Sequence, residues 1–139
     1  MNDQQGIYLY TVDIPVRWSD MDVFGHVNNS VFLTYFEQAR LEWWKEHALP
    51  NLATEKTFPV IVHVSCTFLK PIVYSDEISI KVFVDYPSRT SYESFYEIYS
   101  KNQSDILYAK GTTKIVWIDR ATGRPTSLPD YLLQLLPKK

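Results

Sequence analysis

One segment changes the period of the whole chain. From Ser30 to Leu49, SVFLTYFEQARLEWWKEHAL, the apolar residues Phe32, Tyr35, Phe36, Ala39 and Trp43 recur at helical spacing on one stripe, while Glu37, Arg40, Lys45 and Glu46 fall mostly off it. Most of the remainder alternates as strand. Tyr8 to Trp18 places Val12, Ile14, Val16 and Trp18 on one face and Thr11, Asp13, Pro15 and Arg17 on the other. Pro15, which cannot donate to a ladder, argues for an edge or a bulge. Phe58–Ile72, Glu77–Tyr86, Thr90–Ser100 and Ile106–Asp119 are rich in β-branched and aromatic residues, and their separators are short enough for antiparallel hairpins. PDYLLQLLPKK reads as a short closing helix with Pro129 near its start. The order strand, long helix, four strands predicts an α+β fold, a mainly antiparallel five-stranded sheet covered by one principal helix.

The 139 residues contain no repeat, linker or low-complexity run, so a single domain, 1–139, is expected. With 14 basic and 16 acidic side chains, no overall basic field favours nucleic acid or anionic lipid, and any bound anion must be held locally. Cys66 is the one cysteine, which excludes an intramolecular disulfide and any zinc spacing and fits a reducing cytoplasm. The N-terminus has no basic and apolar signal pattern, and no apolar run reaches the length of a membrane span. A soluble cytoplasmic protein is the expectation. Aromatics make up 15% of the chain and sit on both strand faces, which predicts self-association through the sheet.

Between strand and helix lies RWSDMDVFGHVNN, Arg17–Asn29. The first N–H groups of a helix lack internal partners and carry the positive end of its dipole, so they can act as an oxyanion hole. A carboxylate in the preceding loop could attack, or direct water at, a carbonyl held there. Acyl transfer is the chemistry such a geometry serves, although loop aspartates also serve as turn formers and caps.

WSDMDVFGHVNNSVFLTYFEQAR resembles the signature of hotdog-fold acyl-CoA thioesterases of the 4-hydroxybenzoyl-CoA thioesterase type, D-x-D-x-x-G followed by an aromatic-rich helix with E-x-A-R. FLKPIVYSDEISI is similar to that family's strand and turn, and the likeness runs from Thr11 to about Asp119. It implies a hotdog fold, a sheet wrapped around one long helix, and hydrolysis of an acyl-CoA or acyl-ACP thioester. Carried over by position, Asp22 matches the catalytic carboxylate, as nucleophile or general base, and Gly25 matches the glycine of the bend. Asn29 falls where a backbone N–H would donate to the oxyanion. His26 in GHVNN also resembles acyl-ACP thioesterases, in which His and Asn assist catalysis; Phe24 replaces the asparagine of that pattern.

YPSRTSY resembles a turn that contacts CoA phosphates, with Arg89 as its cation and Thr90 and Ser91 as hydroxyl donors. The acyl group is expected between helix and sheet, beside Phe24, Val27 and helix aromatics. CoA enters as part of the substrate; no further cofactor and no metal are expected. The bland expectations are a structural Asp20, a surface pair of Glu37 and Arg40, a core thiol at Cys66 beside Val62 and Val64, and solvated Lys114, Arg120 and Arg124. The family pairing implies a homodimer or homotetramer with the site at an interface. A non-catalytic thioester-binding protein, or a dehydratase using His26 with Asp22 on a 3-hydroxyacyl thioester, are the competing readings.

Overall fold

The helical stripe expected from spacing is the buried one: Phe32, Tyr35, Phe36, Ala39 and Trp43 are the buried residues of α1 (Asn29–Glu46). The structure, a computed structural model, describes residues 6–139. Its strands are β1 (Ile7–Pro15), β2 (Thr57–Phe68), β3 (Glu77–Val84), β4 (Ser91–Ser100) and β5 (Leu107–Asp119), with a closing turn of helix, α2 (Asp130–Leu133). They form one antiparallel sheet in the order β1-β3-β4-β5-β2, which wraps around α1. The first strand in sequence and the strand after the helix are thus the two edges. This is the α+β hotdog architecture expected from the sequence.

Two buried clusters fill the space between helix and sheet. One gathers Phe32, Tyr35, Phe36 and Ala39 with Ile72, Ile78, Ile80, Tyr96 and Ile98. The other gathers Trp43 with Ile115, Trp117, Leu128 and Leu132. Helix and sheet approach closely at Gly111, where a Cβ would lie 2.3 Å from the Phe36 ring. Only a residue without a side chain admits that ring against the β5 backbone.

Several local expectations change. The first strand stops at Pro15, and Trp18 sits in a 3₁₀ turn (Trp18–Asp20), 76% exposed, rather than on the inner face. The cause is Asp20, whose carboxylate accepts from the Arg17 backbone N–H and guanidinium and tightens the chain there. β2 ends at Phe68, before Ile72, because the Leu69 and Lys70 N–H groups converge on the Tyr108 carbonyl and bend the chain out of the ladder. A bulge between Ile61 and His63 takes Val62 out of the register in which Val64 and Cys66 face Thr113 and Gly111. Cys66 packs against the core, and burial pushes its thiol up to about 11. Glu37 and Arg40 form no ion pair; Arg40 turns inward and donates to the Tyr96 hydroxyl at 3.1 Å.

Candidate active site

The loop between β1 and α1 is closed by a two-residue bridge, Met21 against Val27, with the Asp22 N–H donating to the His26 carbonyl and the Gly25 N–H to the Asp22 carbonyl. A loop this tight needs one left-handed residue, and Gly25 supplies it with φ +82°. A Cβ there would meet nothing within 4 Å. Positive φ, not close approach of a ligand to its Cα, is what the fold itself demands of this glycine.

Asp20 anchors the loop from below. It is 2% exposed and accepts from Arg17 and from the Tyr35 hydroxyl at 2.8 Å. Burial pushes its carboxyl up, but the Arg17 N–H, the Tyr35 hydroxyl and the Arg17 guanidinium together hold it below its usual value. Tyr35 is driven up by burial and then by its bond to that carboxylate, so it remains a donor. Asp20 is therefore fully occupied in structure, as expected.

Asp22, two residues on, is only partly buried. One oxygen accepts from the Phe24 N–H at 2.9 Å, and the other from the Asn28 side-chain amide at 3.0 Å. Asn28 is also the N-cap of α1: its Oδ1 accepts from the Ser30 N–H at 2.9 Å and from the Ser30 hydroxyl at 2.7 Å. One side chain therefore fixes both the start of the helix and the orientation of the carboxylate. Its capping chemistry was legible in the sequence, whereas its grip on Asp22 depends on the loop closure and was not. Asn29 follows at the first helical position, and no described residue accepts from its N–H.

His26 and Asn29 border a shallow cleft of about 260 Å³ whose other walls include Phe32, Phe68, Leu69 and Lys70. His26 is exposed and its ring makes no hydrogen bond with Asp22. Lys70, which belongs to no motif read above, is the cation beside this cleft. The remaining candidates lie elsewhere. Phe24 is 82% exposed and lines no slot within the chain, because the turn that places Gly25 points it to solvent, whereas Val27 is buried. Arg89 donates to the Ser127 hydroxyl and Ser91 shares a bond with Ser88, both beyond the far end of β3. Asp22 is near the Pro15–Glu77 end of the β1–β3 pair, so the length of β3 alone separates the two by about 23 Å. Arg120 is held, its guanidinium donating to the Glu55 and Leu52 carbonyls and lying over Phe58. A single chain thus assembles Asp22, Asn28, the Asn29 N–H and His26, and leaves out Arg89 and Ser91.

The chain is similar to several known proteins. A 1,4-dihydroxy-2-naphthoyl-CoA hydrolase of Crocosphaera subtropica is 30% identical over 134 residues, 91% of this chain and 94% of that protein. The chloroplastic acyl-acyl carrier protein thioesterase ATL3 of Arabidopsis thaliana is 28% identical over 88% of this chain and 65% of its own. The solved structure of the PA2801 protein of Pseudomonas aeruginosa superposes with a TM-score of 0.84 at 31% identity, covering 90% of this chain and 95% of that one. With residues 16–136 matching the family as a whole, the chain belongs to the thioesterase-like superfamily and is a thioester hydrolase of the hotdog fold.

Proposed function

We propose that the protein hydrolyses an acyl-CoA thioester to the free acid and CoA, with Asp22 as the reacting carboxylate. The observation that carries this is the shared clamp: Asn28 holds the Asp22 carboxylate with its amide and caps α1 with its oxygen, next to the unpaired Asn29 N–H. A thioester carbonyl pointing its oxygen at Asn29 presents its carbon to Asp22 or to a water that Asp22 deprotonates. The N–H stabilises the oxyanion of the tetrahedral intermediate, and its collapse expels the CoA thiolate. Attack by Asp22 itself would pass through an anhydride that water then opens; either route needs the same carboxylate. His26, exposed on the cleft, would assist by donating to the leaving group.

We also propose that the working unit is a dimer joined along β2. Ile61, Val64 and Phe68 on this edge are 39%, 39% and 44% exposed, and Leu69 beyond its end is 49% exposed. An edge strand with this much bare apolar surface and open hydrogen-bonding groups is suited to pairing with its own copy. Antiparallel pairing would bring the Thr57 end of one copy's β2 towards the other copy's cleft. Trp117, the partner of Pro59 in the sheet, bonds through its backbone N–H to the Thr90 carbonyl, so Arg89 and Ser91 belong to that same end. The CoA phosphates would then be met by Arg89 and Ser91 across the interface.

Release of free thiol from a panel of short, long and aromatic acyl-CoAs, by wild type and Asp22→Asn in parallel, tests the reading. Turnover should fall about a thousandfold or more in the variant with thioester binding retained. Full turnover in Asp22→Asn would refute the assignment. Hydrolysis of acyl-ACP with no acyl-CoA turned over would move the carrier towards that of the Arabidopsis relative.

A further inference from the structure

The flanks of α1 differ. Its buried stripe, Phe32 to Trp43, faces the sheet. Glu42, Lys45 and Glu46 stand beside Thr11 and Val12 of β1. The flank towards β2 carries Asn29, Leu33, Glu37 and Leu41, spaced every four residues and therefore stacked on one side of the helix. Of these, Asn29 borders the His26 cleft together with Phe68, whereas Glu37 and Leu41 border a cavity of about 180 Å³ together with Pro59 and Ile61. One side of the helix thus joins the proposed reaction site to the cavity, and the exposed Leu33 stands between them.

β2 supplies the facing wall. Pro59, Ile61, Val64 and Phe68 pair with Trp117, Ile115, Thr113 and Ala109, all buried on the side of the sheet that α1 covers. Strict alternation cannot put both Ile61 and Val64 on that side; the bulge between Ile61 and His63 does. The result is a trough with apolar side chains on both walls, closed at its far end by Tyr10, Trp43 and Trp117. The guanidinium along it, that of Arg40, is tied to the Tyr96 hydroxyl at 3.1 Å, and Glu37 is exposed at the rim. Two identical strands paired antiparallel are related by an axis perpendicular to the sheet, so a second copy joined along β2 has its own α1 on the same face, over the trough's open side. Length then decides what fits. Along α1, Glu37 is about 12 Å from Asn29. An extended acyl chain advances about 1.3 Å per carbon, so about nine carbons run the trough and a six-carbon chain stops short of the cavity. A cavity of about 150 Å³ takes up benzene, so this one receives about five carbons more.

We propose that the acyl group of the preferred substrate is an unbranched alkyl chain of about 14 carbons, laid along this trough with its methyl end in the cavity of the same chain. Leu33, Ile61 and Leu41 then set the chain length, and the inference rests on the hydrolase reading above. Below the micelle concentration, kcat/KM should rise by about 30-fold or more from decanoyl-CoA to tetradecanoyl-CoA, as each methylene leaves water for the cavity, and gain nothing further at octadecanoyl-CoA. Leu41→Trp, at an exposed helix position, and Ile61→Trp each plug the cavity mouth and should lower the ratio of tetradecanoyl-CoA to octanoyl-CoA by about tenfold or more. Leu33→Trp, only about 6 Å along the helix from Asn29, should move the optimum to chains shorter than octanoyl. Sedimentation checks that each variant keeps the assembly of the wild type. A flat profile from decanoyl-CoA to tetradecanoyl-CoA, or substitutions at Leu33 and Leu41 that slow every chain length equally, would overturn the proposal. Calorimetry with S-octyl-CoA and S-tetradecyl-CoA, thioethers that cannot be hydrolysed, separates it from the parent reading. Tighter binding of the longer thioether, lost in Leu41→Trp, with no acyl-CoA turned over sustains the trough and removes the hydrolase; turnover with both thioethers bound equally removes the trough alone.

Discussion

The two edges of the sheet are built on opposite principles. On β1, Pro15 closes the strand, a bulge interrupts the pairing between Tyr8 and Tyr10, and Asp13 and Glu77 share Lys101 at 3.4 and 3.3 Å. These are the devices by which an edge refuses a neighbour. On β2 the exposed positions include apolar Ile61, Val62, Val64 and Phe68 beside His63, Ser65 and Thr67, and no side chain of Thr57–Phe68 enters an ion pair among the described residues. One edge ends the sheet, and the other invites its continuation.

Breaking the inviting edge should have the largest effect. Val64→Glu should convert the protein to monomer by sedimentation and lower turnover by about a hundredfold, because the cleft loses its second wall. Thr11→Glu on β1 should change neither, and a monomeric variant with full activity would end the distinction. Next comes the strand beside β2. Gly111→Ala forces a Cβ to 2.3 Å from Phe36 and should cost about 1–3 kcal/mol in denaturant unfolding. Smaller again is the loop hung from the end of β1. Asp20→Asn should cost about 1–2 kcal/mol at pH 7, since it replaces a buried carboxylate that accepts four hydrogen bonds. The Asp20 carboxyl is held below its usual value, so its contribution is present at neutral pH and is lost as pH falls through the folded-state value. The gap between wild type and variant should therefore begin to narrow at about pH 4, the ordinary aspartate value, and close only below the lower folded-state value. Lys101→Ala, just past β4, removes the ion pair to Asp13 of β1 and should leave the melting temperature unchanged, as a solvent-exposed ion pair contributes little.

Periodicity made much of this fold readable. The five residues of the α1 stripe are the five that are buried, because a single helix with one core-facing side has little choice of orientation. Strand ends were less legible, since Asp20 and the Tyr108 carbonyl, each a contact outside simple alternation, decide where β1 and β2 stop. In the site, Asp22, Gly25, His26 and Asn29 lie within eight consecutive residues, so local sequence was enough to group them. Arg40 illustrates the limit. Helical spacing paired it with Glu37 on the surface, whereas the hydroxyl that draws it inward belongs to Tyr96, 56 residues away.

The double use of Asn28 has a thermal consequence. Helix ends open far more readily than helix centres, and here the first turn of α1 cannot open without releasing the carboxylate beside it. The proposed site and the helix end would melt as one cooperative unit. Activity should then fade on heating ahead of the global transition and return on cooling, with Asn28→Ala shifting that early loss to lower temperature while the main unfolding midpoint moves much less.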